Sequence, residues 1–177
     1  MIGAVLIGGR GRRIGGDKPW VRVEGRPLVE WAVRLLRRVG CEEVYAVAPV
    51  RDARWDGPVI RDEGVGPAGG VRAVLRAFDG ELVCVTACDV AFDPEAFARC
   101  DPVPRHVRGT LFPMLLRADG RAPRARSVRA LLRRLGSTGV EVPAVDADRP
   151  EDLRSYRALL RRVIGRSARG ACAGTPR

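Results

Sequence analysis

The segment GGRGRRIGGDKPW, residues 8–20, combines glycines and arginines with the only lysine of this 177-residue chain, Lys18. Clustered glycines let backbone N–H groups approach phosphate oxygens without obstruction by a Cβ atom. An ammonium is a compact point charge and a guanidinium is a broad planar fork, so one lysine in an arginine-rich chain indicates a crowded site. The segment therefore predicts a loop that wraps a nucleoside triphosphate, with Lys18 and backbone amides offsetting the phosphate charge.

Two familiar phosphate-binding motifs do not fit this spacing. A Walker A loop needs a serine or threonine after its lysine, to place a hydroxyl on magnesium, but Lys18 is followed by Pro19. A dinucleotide-binding fingerprint that begins at Gly9 would need a third glycine at position 14, where the chain has Ile14. The loop is therefore predicted to bind phosphates in another way.

Three aspartates lie at the ends of predicted strands. Asp89 ends the run ELVCVTACD, Asp62 ends PVIRD, and Asp148 lies in VDADRPEDL. Because ligands bind beyond the carboxyl ends of parallel strands, these residues are expected at the same edge of a sheet as the glycine-rich loop. Carboxylate oxygens suit Mg²⁺, which takes one or two protein carboxylates together with substrate phosphates and water. Each aspartate alone is as typical of a turn or helix cap, but their convergence with Lys18 favours a magnesium site.

An alternation of strands and helices is predicted to position these residues. The predicted strands are 2–7, 43–49, 58–62, 81–89, 110–117 and 140–146, and the predicted helices are 27–40, 69–78, 127–136 and 150–165. A short extended piece with a turn at Glu24 and Gly25 precedes the first helix. Several strands lack polar alternation, which predicts an α/β fold with a mostly parallel sheet covered on both faces. We expect one domain over residues 1–165 and a flexible basic tail over 166–177.

The formal net charge of +11 and the pI of about 10.9 raise the question of nucleic acid or an anionic membrane as partner. Aromatic residues are only 5% of the chain and do not alternate with the arginines, which disfavours a single-strand binder. No apolar run approaches the roughly 20 residues of a membrane span. Five cysteines without a CxxC pair fit neither a disulfide framework nor a zinc site. We therefore predict a cytoplasmic protein with no membrane partner.

The loop LIGGRGRRIGGDKP resembles the N-terminal signature of the nucleotidyltransferases that include molybdenum cofactor guanylyltransferase, the MobA type. The usual form of that signature is roughly L-A-G-G-x-S-x-R-M-G-x-D-K. The similarity continues in order through VRVEGRPLVEWAV, VIRDEGVGPAGGVRAVL, VTACDVAF, LFPMLL and DADRPEDL. Gly11 and Ile14 depart from the usual serine and methionine. The resemblance implies a three-layer, Rossmann-like nucleotidyltransferase fold.

The resemblance also implies which residues form the site. Those implied to contact the nucleotide and its metal ion are Leu6, Ile7, Gly8, Gly9, Lys18, Asp62 and Asp89. Lys18 and Asp89 would be the catalytic residues, with Asp89 as the Mg²⁺ ligand. Asp148 falls where the family has asparagine or aspartate, and would be a further metal ligand.

The implied activity is transfer of GMP from GTP to the molybdopterin cofactor, with release of pyrophosphate and with Mg²⁺ as cofactor. A molybdoenzyme or a cofactor-insertion protein would be the macromolecular partner. One alternative is transfer to another phosphorylated acceptor, such as adenosylcobinamide phosphate or a sugar phosphate. The other is a nucleic-acid-binding module, which would show salt-sensitive binding to DNA or RNA and little preference for GTP.

Overall fold

The computed structural model describes residues 1–8, 17–120 and 122–170. The strands are β1 (Ile2–Leu6), β2 (Arg22–Val23), β3 (Arg26–Pro27), β4 (Glu43–Ala48), β5 (Val59–Arg61), β6 (Leu82–Ala87), β7 (Val90–Phe92), β8 (Arg105–Val107), β9 (Met114–Arg117), β10 (Thr138–Val140) and β11 (Ala144–Asp146). The α-helices are α1 (Leu28–Val39), α2 (Pro67–Ala77), α3 (Pro94–Ala98), α4 (Val128–Arg134) and α5 (Asp152–Gly170). A short 3-10 helix spans Lys18–Trp20.

Seven strands form the central sheet in the order β10-β8-β9-β6-β1-β4-β5. The pairs β1–β4, β1–β6, β4–β5 and β8–β10 are parallel, and β9 is antiparallel to both of its neighbours. The predicted mostly parallel sheet is therefore confirmed. Because β1, β4, β5 and β6 run the same way, their carboxyl ends meet at one edge, which is where the predicted site residues lie.

Helices cover both faces of this sheet. The connection β1–α1–β4 moves toward the β5 edge, and β5–α2–β6 moves back across β1. Right-handed crossovers in opposite directions place their helices on opposite faces, which gives the predicted three layers. The first helix buries Leu28, Leu35 and Leu36 against the sheet. It ends at Val39, and the C-cap residue Gly40 has a φ of 107°, which suits glycine.

The predicted turn at Glu24 and Gly25 joins β2 to β3 in a two-residue hairpin. Both turn residues have positive φ, 50° and 75°, as a tight hairpin turn that matches strand twist requires. This hairpin leads directly into α1, which begins one residue after the proline predicted to start the helix.

The predicted strand 140–146 is wrong, because the chain forms two strands there. Strand β10 lies at the edge of the central sheet, whereas β11 pairs with β7 in a separate two-stranded ladder. Pro143 between them has no N–H to donate to a ladder, and its carbonyl accepts the N–H of Asp93 at 2.9 Å. The separate ladder ends at Asp146, two residues before the predicted site residue Asp148.

Other differences concern short elements. Strand β9 begins at Met114, later than predicted, and Leu111 before it has a φ of 64°. Strands β7 and β8 and helix α3 were not predicted, because three to five residues carry too little periodicity. The backbone of α5 continues to Gly170, five residues into the predicted tail, and residues 171–177 lie outside the described part. A flexible tail thus stays a prediction.

None of the helices described here has the length and apolar character to cross a bilayer.

Candidate active site

Lys18 forms ion pairs with two of the predicted aspartates. Its Nζ contacts Oδ2 of Asp89, and it donates a hydrogen bond of 2.6 Å to Oδ1 of Asp148. The side chains of Lys18 and Asp89 are only 11% and 10% exposed, while that of Asp148 is 56% exposed. The three predicted residues therefore meet in a shielded cluster that opens to solvent on the side of Asp148.

Strand pairing explains why residues so distant in the sequence meet. Asp89 lies in the turn between β6 and β7, and the next residue, Val90, pairs with Asp146 of β11. The carbonyl of Asp89 accepts the N–H of Ala147 at 2.9 Å. Strand β1 lies beside β6, and Lys18 contacts Asp89 beyond the carboxyl end of β6. The small β7–β11 ladder thus places Asp146 and the residues that follow it beside Asp89, at the carboxyl edge of the central sheet.

A third carboxylate, Asp146, belongs to this cluster and was missed by the sequence analysis. Ligand oxygens of Asp89, Asp146 and Asp148 all lie within 4.8 Å of one another. Residues two apart in an extended segment point to the same side, so the pattern Asp-Ala-Asp at 146–148 was a signal for both acids. The site has three acidic side chains around one ammonium.

The electrostatics of the cluster follow from this crowding. Burial opposes the charge on Lys18, but hydrogen bonds to Asp148 and Asp89 outweigh it and raise the pKa of Lys18 above its usual value. Burial raises the pKa of Asp146 to about 7, and the negative charges of Asp89 and Asp148 add to this shift. Lys18 is therefore an ammonium throughout the neutral range, and the acidic cluster has negative charge left for another cation.

The donor set fits a divalent cation that prefers oxygen ligands. All three ligands are carboxylates, and hard cations such as Mg²⁺ and Ca²⁺ prefer such oxygens. Within the described residues, Oδ1 of Asp146 is buried and has no hydrogen-bond partner. A buried acceptor without a donor is costly, so this oxygen is suited to receive a ligand. Asp89, Asp146 and Asp148 are the residues that could hold the ion.

The cluster lines a cavity of about 290 Å³, here called the carboxylate cavity. Its lining is formed by Leu6, Lys18, Pro67, Ala87, Cys88, Asp89, Val90, Thr110, Phe112, Asp146 and Asp148. A second cavity of about 260 Å³, here called the glycine cavity, is lined by Leu6, Gly8, Val47, Pro49, Asp62, Gly64, Gly66, Pro67 and Gly70. Leu6 and Pro67 line both cavities, so the two are neighbours along the sheet edge, and α2 begins between them.

The remaining predicted site residues are placed as follows. Asp62 and Gly8 line the glycine cavity, and Oδ1 of Asp62 accepts the N–H of Gly64 at 2.7 Å. Ile7 is buried and lines neither cavity, and its N–H donates to the carbonyl of Val47 at 3.0 Å. Gly9 and the neighbouring arginines of the loop lie outside the described residues. The structure thus brings Leu6, Gly8 and Asp62 to one cavity, and leaves a nucleotide contact by Ile7 or Gly9 as a prediction.

A larger cleft of about 540 Å³ lies over α1, away from the acidic cluster. Trp20, Trp55 and Arg54 are among the side chains that line it, whereas Lys18 and the three clustered aspartates do not. Charged side chains line this cleft too, but among the described residues the group of three side chains that could hold a metal ion lies in the carboxylate cavity. The candidate site is therefore the carboxylate cavity.

The sequence matches the family model described as "MobA-like NTP transferase domain" over residues 3–140. A molybdenum cofactor guanylyltransferase of Cereibacter sphaeroides is 46% identical over 103 residues, which cover 53% of this chain and 52% of that protein. The molybdenum cofactor biosynthesis bifunctional protein of Synechocystis is 34% identical over 100 residues, 52% of this chain and 28% of that protein. The chain thus spans less than two thirds of the length of these curated relatives.

A solved structure supports the same fold. The molybdopterin-guanine dinucleotide biosynthesis protein A of Archaeoglobus fulgidus superposes with a TM-score of 0.62 at 22% identity, covering 92% of this chain and 100% of that one. At this identity the likeness shows the fold alone, and it confirms the predicted nucleotidyltransferase architecture.

Proposed function

Because the chain belongs to the MobA-like NTP transferase domain family, we propose that it transfers GMP from GTP to the molybdopterin cofactor, forming the guanine dinucleotide cofactor and releasing pyrophosphate. Relatives in Cereibacter sphaeroides and Acidiphilium cryptum are named molybdenum cofactor guanylyltransferase. The observation that carries the proposal is the contact of Lys18 with Asp89 and Asp148 in a cavity that adjoins a second, glycine-lined one.

The two cavities suit the two ends of a nucleoside triphosphate. Glycine backbone in the glycine cavity leaves room for a flat base and a ribose, and the Asp62 carboxylate offers acceptors to their hydroxyl and amino groups. The triphosphate would extend past Leu6 and Pro67 into the carboxylate cavity. Helix α2 begins at Pro67, and the partial positive charge of a helix N-terminus favours phosphate there.

In the proposed reaction, a terminal phosphate oxygen of the acceptor attacks the α-phosphorus of GTP in line. One phosphorus–oxygen bond forms to the acceptor, the bond to the β-phosphate oxygen breaks, and pyrophosphate leaves with that electron pair. No side-chain nucleophile is needed. The protein's contribution is to align two anions and to neutralise their charge.

Lys18 is the cation that this chain places against the triphosphate. In the free protein its ammonium is held by Asp89 and Asp148, and phosphate oxygens would take over part of that contact. The fixed ammonium then stabilises charge that develops on the leaving pyrophosphate. Asp89, Asp146 and Asp148 would hold Mg²⁺, which supplies Lewis-acid stabilisation of phosphate oxygens when bound.

The acceptor is proposed to enter beside Thr110 and Phe112, which line the carboxylate cavity but not the glycine cavity. A cytoplasmic location and docking of a molybdoenzyme or cofactor-insertion protein remain predictions. Transfer to adenosylcobinamide phosphate or a sugar phosphate would use the same Lys18 and the same carboxylates, so only acceptor tests separate these reactions.

The test is to incubate the protein with Mg²⁺, each of the four nucleoside triphosphates and each acceptor, and to follow pyrophosphate release. The proposal predicts release with GTP and molybdopterin cofactor, and no comparable release with adenosylcobinamide phosphate or a hexose 1-phosphate. Release only with one of the other acceptors would retain nucleotidyl transfer and replace the acceptor. Salt-sensitive DNA binding without Mg²⁺-dependent GTP binding would favour the nucleic-acid alternative instead.

A further inference from the structure

The short segment that carries Lys18 is held at both ends by the loop that follows β4. Nη1 and Nη2 of Arg54 donate to Oδ2 and Oδ1 of Asp17 at 2.5 and 2.9 Å. Nε1 of Trp20 donates to Oδ2 of Asp52 at 2.8 Å. Lys18 therefore lies between two anchored neighbours. These four side chains, of Asp17, Trp20, Asp52 and Arg54, are here called the Arg54 clamp.

Arg54 is the centre of the clamp because it contacts all three other members. Its Nε and Nη2 donate to the two carboxylate oxygens of Asp52 at 3.0 and 2.7 Å, in addition to its contacts with Asp17. Its guanidinium carbon lies 4.6 Å from the centre of the Trp20 ring. Hydrogen bonds from Arg54 hold the pKa of both Asp52 and Asp17 below the usual value. Only a planar fork can serve two carboxylates and stack on a ring at once.

Asp17 also has an uncommon backbone conformation, beside its contacts with Arg54. Asp17 has φ 51° and ψ 41°, the left-handed region that residues with a Cβ atom disfavour. It precedes the 3-10 helix Lys18–Trp20, yet its side chain does not cap that helix and contacts Arg54 instead. The carbonyl of Asp17 accepts the N–H of Trp20 at 2.9 Å, which fixes the turn around Lys18. An unfavourable backbone conformation persists where surrounding contacts impose it.

We infer that Arg54 is a positioning residue that fixes Asp17 and Trp20 on either side of Lys18, so that the ammonium is held at Asp89 and Asp148 before substrate arrives. Arg54 lines neither the carboxylate cavity nor the glycine cavity. Its effect on the reaction is therefore indirect, through the placement of Lys18. The expected effect of Arg54 on the reaction rate rests on the proposed function. Its effect on the position of Lys18 rests only on the contacts described above.

Lys18 can be observed directly because it is the only lysine in the chain. An amine-directed acylating reagent has two targets, Lys18 and the α-amine of Met1, and mass spectrometry separates the two products. The Met1 amine serves as the internal reference. In Arg54→Ala the acylation rate of Lys18 relative to Met1 is expected to rise about tenfold, equivalent to about 1.4 kcal/mol of lost ordering.

Arg26→Ala is the matched control. Arg26 is 45% exposed, close to the 49% of Arg54, and it too pairs with a carboxylate, Glu30, and lies near a tryptophan ring, that of Trp31 at 6.0 Å. Among the described residues, no hydrogen bond or ion pair joins it to the segment 17–20. Its removal is expected to leave the acylation rate of Lys18 at the wild-type value. Equal rates in wild type and Arg54→Ala, or equal increases in both variants, would overturn the inference.

Turnover provides the second measurement. Arg54→Ala and Arg54→Lys are both expected to lower kcat by about tenfold with KM for GTP nearly unchanged, because a misplaced group costs rate rather than binding. Arg54→Lys keeps the positive charge and loses the fork, so wild-type kcat in this variant would contradict a positioning role. Faster acylation of Lys18 in Arg54→Ala, with no nucleotidyl transfer even by wild type, would support the clamp and reject the proposed function.

Discussion

The two neighbouring cavities at the carboxyl edge of the sheet differ in how they are built. The carboxylate cavity contains four charged side chains that converge from three parts of the chain, and Lys18 forms ion pairs with two of the three acids, Asp89 and Asp148. The glycine cavity contains one acid, Asp62, and is otherwise formed by glycines, prolines and two aliphatic side chains. The carboxylate cavity is thus distinguished by its charged side chains, and the glycine cavity by the room that its small residues leave.

Under the proposed function, this difference predicts that the two cavities have different roles in one substrate site. Electrostatic groups act most strongly where charge develops in a transition state, which for nucleotidyl transfer is at the phosphates. A base and a ribose carry no charge, and an open cavity with the acceptor oxygens of Asp62 suits them. Changes in the carboxylate cavity should therefore lower kcat, and changes in the glycine cavity should raise KM. The following predictions test that difference, beginning with the largest effect.

Asp89→Asn should have the largest effect. Asparagine has nearly the same shape but no charge, so it removes both the Lys18 ion pair and a ligand of the proposed ion. We expect kcat to fall by about 10³-fold, the upper end for one electrostatic contact. Pyrophosphate release at saturating GTP measures this, and a wild-type melting temperature would show that the fold is retained. A variant with wild-type kcat would show that Asp89 is not in the mechanism.

Lys18→Ala is expected to lower kcat by about 10²-fold, because the leaving pyrophosphate loses its ammonium while the three acids remain. Lys18→Arg is the informative companion, since it keeps the charge and changes the shape. A guanidinium does not fit a cluster in which the ammonium is 11% exposed, so we expect little recovery. Full activity of Lys18→Arg would mean that charge alone matters there.

Asp148→Ala, which removes the ligand oxygens altogether, should have a smaller effect because this carboxylate is 56% exposed and therefore better solvated. The expected change is about a tenfold rise in the Mg²⁺ concentration that gives half-maximal rate, with kcat largely recovered at high Mg²⁺. A titration of rate against Mg²⁺ in wild type and variant measures it. Identical titration curves would exclude Asp148 as a ligand.

Gly70→Ala tests the glycine cavity and should have the smallest effect on rate. A Cβ there would lie 2.8 Å from Cδ2 of Leu6 and 3.3 Å from Oδ2 of Asp62, so the cavity wall must shift. We expect KM for GTP to rise about fivefold, with kcat nearly unchanged.

Gly69→Ala is the control for that experiment. Its added Cβ would meet only the side chain of Val65, which is exposed and can move. Wild-type KM in this control is expected. If Gly70→Ala lowered kcat and left KM unchanged, the proposed role of the glycine cavity in binding the base and ribose would be contradicted.

The sequence predicted the residues whose position follows from a strand end. Asp89 and Asp62 end apolar runs, and Lys18 follows the first strand, so their common edge could be deduced from a parallel sheet. Asp146 also ends a predicted strand, 140–146, but a strand end alone does not show which acid of the pattern Asp-Ala-Asp lies near Asp89. The pairing of Asp146 with Val90, in the ladder that follows Pro143, brings it there.

Long-range contacts of side chains could not be predicted from local pattern. Arg54 lies in an irregular loop, and nothing in the local sequence distinguishes it from other surface arginines. Only the fold brings it to Asp17, 37 residues earlier. The same holds for the shared position of Leu6 and Pro67 between the cavities, because it depends on how β1 and α2 pack. Periodicity predicts elements, but it carries no information on which loops meet.

The most direct measurement of the central claim is a single-turnover reaction with GTP labelled at the α-phosphorus, molybdopterin cofactor and Mg²⁺. The account predicts that wild-type protein transfers one label to the acceptor for each pyrophosphate released, and that Asp89→Asn and Lys18→Ala transfer it far more slowly. Label that stays in GTP in the presence of acceptor, or wild-type transfer rates in both variants, would contradict it.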